Sequence, residues 1–242
     1  LYVAYNAPHY PMHAPKKYLD RFPDLSNDRR IMAAMISAVD DGVGEIMSEL
    51  KRQGIDDDTC TFFTSDNGPS RESRNWLDGT QDLYYGGTTG GLKGHKFSLY
   101  EGGTKVPGIV NWPKQIPSGQ TLDEPVAHMD IFPTIIKAAG GDISQYELDG
   151  NDILPYVSKG DNLNERPIFW EQGKQRSVRR GPWKLVLDGT LLEGAPVEDA
   201  VHLSNVIEDP SESTNLKNKH PDLTLELTEL TENWYQNIKN RW

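Results

Sequence analysis

The sequence is poor in cysteine and in basic charge, and both shortages limit what the protein can be. Cys60 is the single cysteine among 242 residues, so neither an internal disulfide nor a cysteine-based zinc cluster can hold the chain together. Acidic residues outnumber basic residues by 36 to 25, and the formal net charge of -11 repels phosphate backbones and anionic lipid headgroups. We therefore expect no nucleic-acid partner, although a local cluster of positive charge could still bind a small anionic ester.

Long hydrophobic runs and several common functional motifs are also missing. No apolar stretch approaches the roughly 20 residues that cross a bilayer, which predicts no membrane span. The chain contains no GxxxxGK[ST], GxGxxG or GxSxG string. Nucleotide binding through the first two motifs and a serine nucleophile on the third are therefore excluded.

The spacing of apolar residues predicts an α/β fold in the first part of the chain. LYVAYN, residues 1–6, is expected to be a strand already inside a fold, followed by a stiff proline-rich loop. Apolar residues at three-and-four spacing from Asp28 to Leu50 predict a long helix that stops before Gly54. TCTFFTSD, residues 59–66, predicts a buried strand, and strand, helix, strand is typical of a right-handed parallel crossover.

The second part of the chain has a different texture. VPGIVNWP, residues 106–113, predicts a further strand, and a helix is expected from about Asp130 to Ala139. Beyond residue 147, three short strand-like pieces separated by glycine and charge, RPIFWEQ, QRSVRRG and WKLVLDG, predict an antiparallel sheet. Leucine spacing from Pro221 predicts a final helix. We therefore divide the chain into residues 1–147 and 148–242.

Candidate functional residues follow the two predicted strands of the crossover, where ligands gather in open parallel sheets. His9 lies in a loop stiffened by prolines and could give a hydrogen bond or a proton to an anion, or could merely bond its own turn. Asp66 and Asn67 offer the oxygen donors that Ca²⁺ or Mg²⁺ prefers, or form a strand-ending turn. Because Ca²⁺ takes roughly 6 to 8 oxygens, other ligands must come from elsewhere.

A glycine-dense segment, GGTTGGLKGHKFSLYEGGTK, spans residues 86–105. It predicts a loop in which glycine allows close backbone approach and Lys93, His95 and Lys96 supply basic groups for an oxyanion. A solvated basic loop is the alternative interpretation.

Several blocks of the sequence resemble the type I sulfatases, which hydrolyse sulfate esters with a formylglycine nucleophile. The blocks are YNAPHYPMHAP, FFTSDNG and GGLKGHKFSLYEGGTKVPGIVNWP, and the likeness continues through AHMDIFPTIIKAAG, SVRRGPWKLVL and HLSNVIEDPSESTNL. The resemblance implies an alkaline-phosphatase-like α/β fold, with a mostly parallel sheet flanked by helices and a smaller C-terminal antiparallel α+β subdomain. It also implies a location that is exported, periplasmic or lysosomal.

The resemblance implies roles for four residues of the chain. Asp66 and Asn67 match the family's calcium ligands, with magnesium the weaker alternative. His9 and Lys96 match the residues that contact the sulfate and assist departure of the alcohol, whereas Lys93 falls outside that pattern. The implied substrate is a sulfate ester of a carbohydrate or of an aryl alcohol. The polar segment from Ser70 to Gly90, which holds Arg71, Arg74 and Trp76, could line the entrance and choose between sugars and aryl esters.

The chain departs from the family's pattern in one respect. Such sulfatases carry a Cys/Ser-x-Pro-x-Arg motif, whose first residue becomes formylglycine, and two further aspartate ligands, and neither is found in this chain. The resemblance therefore implies a C-terminal part that is inactive without the missing N-terminal half. A phosphatase or phosphodiesterase of the same superfamily, with two zinc ions, and a non-catalytic module that binds an anionic glycan are the alternatives.

Overall fold

A computed structural model describes residues 1–71 and 87–241. The predictions for Arg74 and Trp76 lie outside these residues. The helices are α1 Lys16–Leu19, α2 Asn27–Gln53, α3 Glu101–Thr104, α4 Ile131–Ala138, α5 Leu154–Lys159 and α6 Pro221–Lys239. The strands are β1 Thr61–Thr64, β2 Gly108–Asn111, β3 Ile168–Gln172, β4 Gln175–Arg180, β5 Trp183–Thr190 and β6 Val197–Asn205. Within the described ranges, no helix is both long and apolar enough to cross a membrane.

The long helix α2 confirms the strongest prediction from the sequence. Its last turn ends at Gly54, whose φ of 69° is left-handed and whose N–H donates to the carbonyls of Leu50 and Lys51. A left-handed glycine stops a helix without the steric penalty that a Cβ would bring. The buried face of α2 includes Met35, which packs against Met12 of the loop after His9.

The predicted opening strand and the parallel crossover are wrong. Residues 1–6 form no strand and are exposed, because a strand needs a neighbour for its backbone hydrogen bonds and the described residues provide none for them. β1 pairs instead with β2 in antiparallel register, Thr61 opposite Asn111. The expected mostly parallel sheet is therefore not seen within the described part of this chain, where both sheets are antiparallel.

β1 is also less buried than predicted. Phe62 packs with Val110 of β2 and with Tyr156 and Val157 of α5, whereas Phe63 is 40% exposed. Helix α5 therefore packs against the first sheet, although it follows residue 147. The division at that residue stays a prediction.

The predicted C-terminal antiparallel sheet and final helix are confirmed. β3, β4, β5 and β6 form one sheet in sequential order, and α6 packs on it through Leu227, which is buried with Val178 and Leu203. Trp234 of α6 stacks on Phe169 of β3 with ring centroids 4.8 Å apart. One end of this sheet contacts residues 95–104, the segment that contains Lys96. This contact holds the segment in place.

Candidate active site

Two of the predicted site residues touch each other across a sequence separation of 87 positions. Lys96 Nζ lies 3.1 Å from His9 Nε2, and His9 Nδ1 lies 2.9 Å from the Tyr10 carbonyl oxygen. Because a carbonyl oxygen only accepts, Nδ1 must carry the proton. The lone pair of Nε2 then accepts a hydrogen bond from the Lys96 ammonium. A histidine that merely bonds its own turn would need only the contact with the Tyr10 carbonyl.

The loop of His9 packs on α2 and is closed by a backbone hydrogen bond within the loop. His9 N–H donates to the Asn6 carbonyl at 2.8 Å. Three residues later, Met12 is 1% exposed and packs between Met35 and Ile31 of α2. The exposed imidazole of His9 is therefore carried by a loop whose base is buried.

Asp66 and Asn67 lie in a turn that is bonded to the lysine loop through the main chain. Gly68 N–H donates to the Gly103 carbonyl at 2.9 Å, and Lys96 N–H donates to the Pro69 carbonyl at 3.0 Å. These two hydrogen bonds bring three of the four predicted residues to one side of the molecule. The contact between Lys96 and His9 adds the fourth.

The donor atoms of this turn suit a hard cation. Asp66 is exposed, and its Oδ1 accepts from Asn67 N–H at 3.0 Å. Asn67 Nδ2 donates to the Gly68 carbonyl at 2.9 Å, so Oδ1 is the Asn67 atom suited to a cation. In residues 1–71 and 87–241 no group of three or more His, Cys, Asp or Glu side chains gathers. Asp66 and Asn67 thus fit part of a calcium site.

The two turns approach so closely that only glycine fits between them. A Cβ at Gly68 would lie 1.9 Å from the Gly102 carbonyl oxygen, and a Cβ at Gly102 would lie 2.1 Å from the Gly94 carbonyl oxygen. The close backbone approach expected of the glycine-dense segment is therefore observed.

We expect Gly68→Ala to lower the free energy of unfolding by about 1–3 kcal/mol, because the added methyl overpacks rigid backbone. Gly44→Ala in α2 is the matched control, since nothing lies within 4 Å of its Cβ and alanine favours a helix. Urea unfolding of the chain measures both. Equal stability of the two variants would contradict the close packing.

The other basic residues of the segment do not reach His9. Lys93 Nζ lies 4.5 Å from the centroid of the Tyr100 ring and 3.8 Å from Glu198 of β6, so it faces the C-terminal sheet. Burial, and then the charge of Arg71, lower the pKa of His95. His95 therefore favours its neutral form and adds little positive charge.

Sequence reasoning missed a buried charge cluster that joins α3 to the C-terminal sheet. Lys184 Nζ donates to Glu101 Oε1 and to Thr104 Oγ1, both at 2.8 Å, and Arg179 lies 3.6 Å from the same glutamate. Glu212 Oε2 accepts from Glu101 N–H at 2.6 Å. Lys184 and Glu212 are fully buried, and Glu101 is 3% exposed. No spacing in the sequence relates these residues, which come from three separate segments.

The pKa values of the two buried glutamates shift in opposite directions. Burial raises the pKa of Glu212, and the nearby charges do not cancel that effect. Burial acts in the same direction on Glu101, but its contacts with Lys184 and Arg179 outweigh it and lower the pKa. Glu101 therefore carries the negative charge that Lys184 neutralises.

Comparison with curated proteins relates the chain to enzymes that act on sulfate esters. The sequence model of the family described as Sulfatase matches residues 1–141. Steryl-sulfatase of Homo sapiens is 39% identical across 50% of this chain and 20% of its own length. Arylsulfatase J of Mus musculus is 32% identical across 77% of this chain and 33% of its own length. The chain thus matches a third or less of these relatives.

Solved structures match almost the whole chain. The crystal structure of Ps i-CgsB has a TM-score of 0.80 and 30% identity, and the match covers 97% of this chain and 49% of that one. The complex of Ps i-CgsB with k-i-k-neocarrahexaose has a TM-score of 0.77 and 29% identity over the same shares. The predicted α/β class is confirmed by these matches, and the chain spans about half the length of that protein.

Proposed function

Since this chain belongs to the sulfatase family, whose members are sulfuric ester hydrolases, we propose that the complete protein cleaves sulfate monoesters. By the complete protein we mean this chain with the further residues that its longer relatives possess. The observation that carries the proposal is the 3.1 Å contact between Lys96 Nζ and His9 Nε2 beside the turn of Asp66 and Asn67. An ammonium and an imidazole held together suit an anion whose ester oxygen must leave.

The chain's own residues have distinct roles in this proposal. Lys96 neutralises charge on the sulfate oxygens. It also stabilises the negative charge that develops on the departing oxygen as the ester bond breaks. His9 holds its Nδ1 proton on the Tyr10 carbonyl, so any proton passed to the departing oxygen leaves from Nε2. Taking up that proton first requires Nε2 to release the hydrogen bond from Lys96.

Two groups outside this chain's own chemistry complete the proposal. Asp66 and Asn67 would hold a calcium ion, which supplies positive charge for the transferring group. Formylglycine, expected in the part of the relatives' length that this chain does not match, would supply the nucleophile. The chain alone is proposed to be inactive for that reason.

We propose a sulfated carbohydrate as the substrate. The supporting observation is that Ps i-CgsB, which matches 97% of this chain, was crystallised with a neocarrahexaose. Two curated relatives are named instead for steryl and aryl sulfates, whereas N-acetylgalactosamine-6-sulfatase of Mus musculus, 34% identical across 76% of this chain, is named for a sugar sulfate. We also extend the family's exported, periplasmic or lysosomal location to this protein as part of the proposal.

Substrate panels and metal analysis of the complete protein test the proposal. We expect turnover of a sulfated oligosaccharide and of an aryl sulfate, with no turnover of the matching aryl phosphate, and one calcium per chain. Phosphate release with two zinc ions would favour the phosphatase alternative. Binding of the oligosaccharide without turnover would favour the non-catalytic module.

Asp66→Ala removes a direct oxygen donor to calcium. Loss of a group that only hydrogen-bonds to a metal ligand costs roughly 10- to 100-fold in metal affinity, so we expect Asp66→Ala to weaken calcium binding by at least that factor. Sulfate-ester turnover should fall in parallel. Calorimetric titration of the complete protein with Ca²⁺ measures the affinity. Asp58→Ala is the control, since Asp58 forms an exposed pair with Lys114 at 2.7 Å. Unchanged calcium affinity in Asp66→Ala would remove this residue from the site.

A further inference from the structure

The residue after Lys96 adopts a backbone conformation that its side chain disfavours. Phe97 has a φ of 71°, in the left-handed region where a bulky residue is an outlier. Such a conformation persists only when the surrounding structure holds it in place. The contacts that hold Phe97 therefore also determine the direction in which Lys96 leaves the main chain.

A buried amide from the C-terminal sheet makes those contacts. Gln175, the first residue of β4, is 5% exposed, and its Nε2 donates to the Phe97 carbonyl at 2.7 Å. Its Oε1 accepts from Thr190 N–H at 2.9 Å and from Leu99 N–H at 3.4 Å. Because the partners are one carbonyl and two N–H groups, only one orientation of the amide satisfies them all.

Other hydrogen bonds tie the same loop to the end of β5. Ser98 Oγ donates to the Thr190 carbonyl at 2.6 Å, and His95 N–H donates to the Leu191 carbonyl at 3.0 Å. The residues on either side of Lys96 and Phe97 are thus anchored on the C-terminal sheet. Gln175 is the one side chain among these contacts that bonds Phe97 itself.

We propose that Gln175 is a positioning residue for Lys96: by holding Phe97 in the left-handed conformation, it directs the Lys96 ammonium toward His9 and the bound sulfate. This inference rests on the proposed function for its catalytic consequence. Its geometric content, the contact between Lys96 and His9, does not depend on that function.

The test uses Gln175→Met in the complete protein, which keeps the side-chain length and removes both amide groups. We expect kcat for sulfate-ester hydrolysis to fall roughly 10- to 100-fold, because small misplacements of a catalytic group cost about that much. Gln172→Met is the matched control, since Gln172 pairs with Gln175 across the β-turn but is exposed. We expect it to keep the wild-type kcat. A Gln175→Met variant that also kept the wild-type kcat would overturn the proposal.

Phe97→Gly separates positioning from general support of the fold. Glycine adopts a φ of 71° without steric cost, so the strain that Gln175 offsets at Phe97 is removed. In the Phe97→Gly background, Gln175→Met is therefore expected to change kcat by less than about 3-fold. A loss in that background as large as in the wild-type background would overturn the proposal. If Gln175→Met alone does not fold, the change within the Phe97→Gly background is still measured, and a loss of kcat greater than about 3-fold there overturns the proposal.

The ¹⁵N chemical shift of His9 Nε2 reports the geometry without reference to activity. We expect Gln175→Met to move this signal as the hydrogen bond from Lys96 is lost, and Gln172→Met to leave it unchanged. If the wild-type protein hydrolyses no sulfate ester, the proposed function fails while this signal still tests Gln175. An unchanged signal in Gln175→Met would overturn the positioning role.

Discussion

Replacing Lys96 by alanine is expected to lower kcat for sulfate-ester hydrolysis by about 10²- to 10³-fold, the loss typical of removing one preorganised group that faces a developing anion. The ammonium lies 3.1 Å from His9 Nε2, and in the proposed mechanism these two groups face the sulfate oxygens and the departing oxygen. KM should change less than kcat, because the charge that Lys96 neutralises is greatest in the transition state. Steady-state kinetics of the complete protein measure both.

Lys93→Ala is the matched control for this prediction. Lys93 lies three positions earlier in the same loop but faces Glu198 and the Tyr100 ring. We expect its loss to reduce kcat by less than about 10-fold, through a small shift of the loop. If Lys93→Ala proved as harmful as Lys96→Ala, the assignment of Lys96 to the sulfate would be wrong.

Lys184→Met is expected to lower the free energy of unfolding by about 3–5 kcal/mol, the loss typical when one partner of a buried ion pair is removed. Lys184 is wholly buried, and its ammonium bonds both Glu101 and Thr104 at 2.8 Å. Without it, the carboxylate of Glu101 remains buried with Arg179 3.6 Å away. Urea denaturation monitored by tryptophan fluorescence gives the free energy.

Two further variants and a pH series check the origin of that loss. Lys114→Met removes an exposed pair with Asp58 and should cost no more than about 1 kcal/mol. Lys184→Met combined with Glu101→Gln should recover part of the loss, because the buried carboxylate that lost its ammonium partner is then itself removed. The folded-state pKa of Glu101 is lowered from 4.5, so its stabilisation is present above that pH and is lost as the pH falls through the folded value. If the fall in the free energy of unfolding caused by Lys184→Met did not change with pH, the ion-pair explanation would be contradicted.

The sequence predicted those elements whose signal is local. Helix α2 and helix α6 follow from apolar spacing, and the end of α2 at Gly54 follows from backbone sterics. The opening strand was wrong because an apolar, aromatic run does not reveal whether a hydrogen-bonding neighbour exists. Strand β6, Val197–Asn205, was missed because its first half contains two adjacent acidic residues, Glu198 and Asp199, and is largely exposed.

The candidate site was predictable only in part. From residue chemistry alone, His9 and Lys96 could each belong to a site or to an ordinary loop. The resemblance to a family singled them out as site residues. Their contact depends on tertiary packing across 87 positions. Nothing in the sequence distinguishes Gln175 from Gln172 three residues earlier. Its importance arises from Phe97, Leu99 and Thr190, which the fold brings to it from distant segments.

The contact between the turn of Asp66 and Asn67 and the lysine loop, called the seam below, is made of peptide groups. Gly68 is bonded to Gly103, and Lys96 is bonded to Pro69. Peptide hydrogen bonds do not depend on the identity of the side chains around them, except where the close approach leaves room for no side chain at all, as at Gly68 and Gly103. Neighbouring side chains that point away from this seam can therefore be exchanged without altering the alignment of turn and loop. Replacing those side chains would therefore allow the substrate preference to be redesigned while the proposed catalytic residues keep their relative positions.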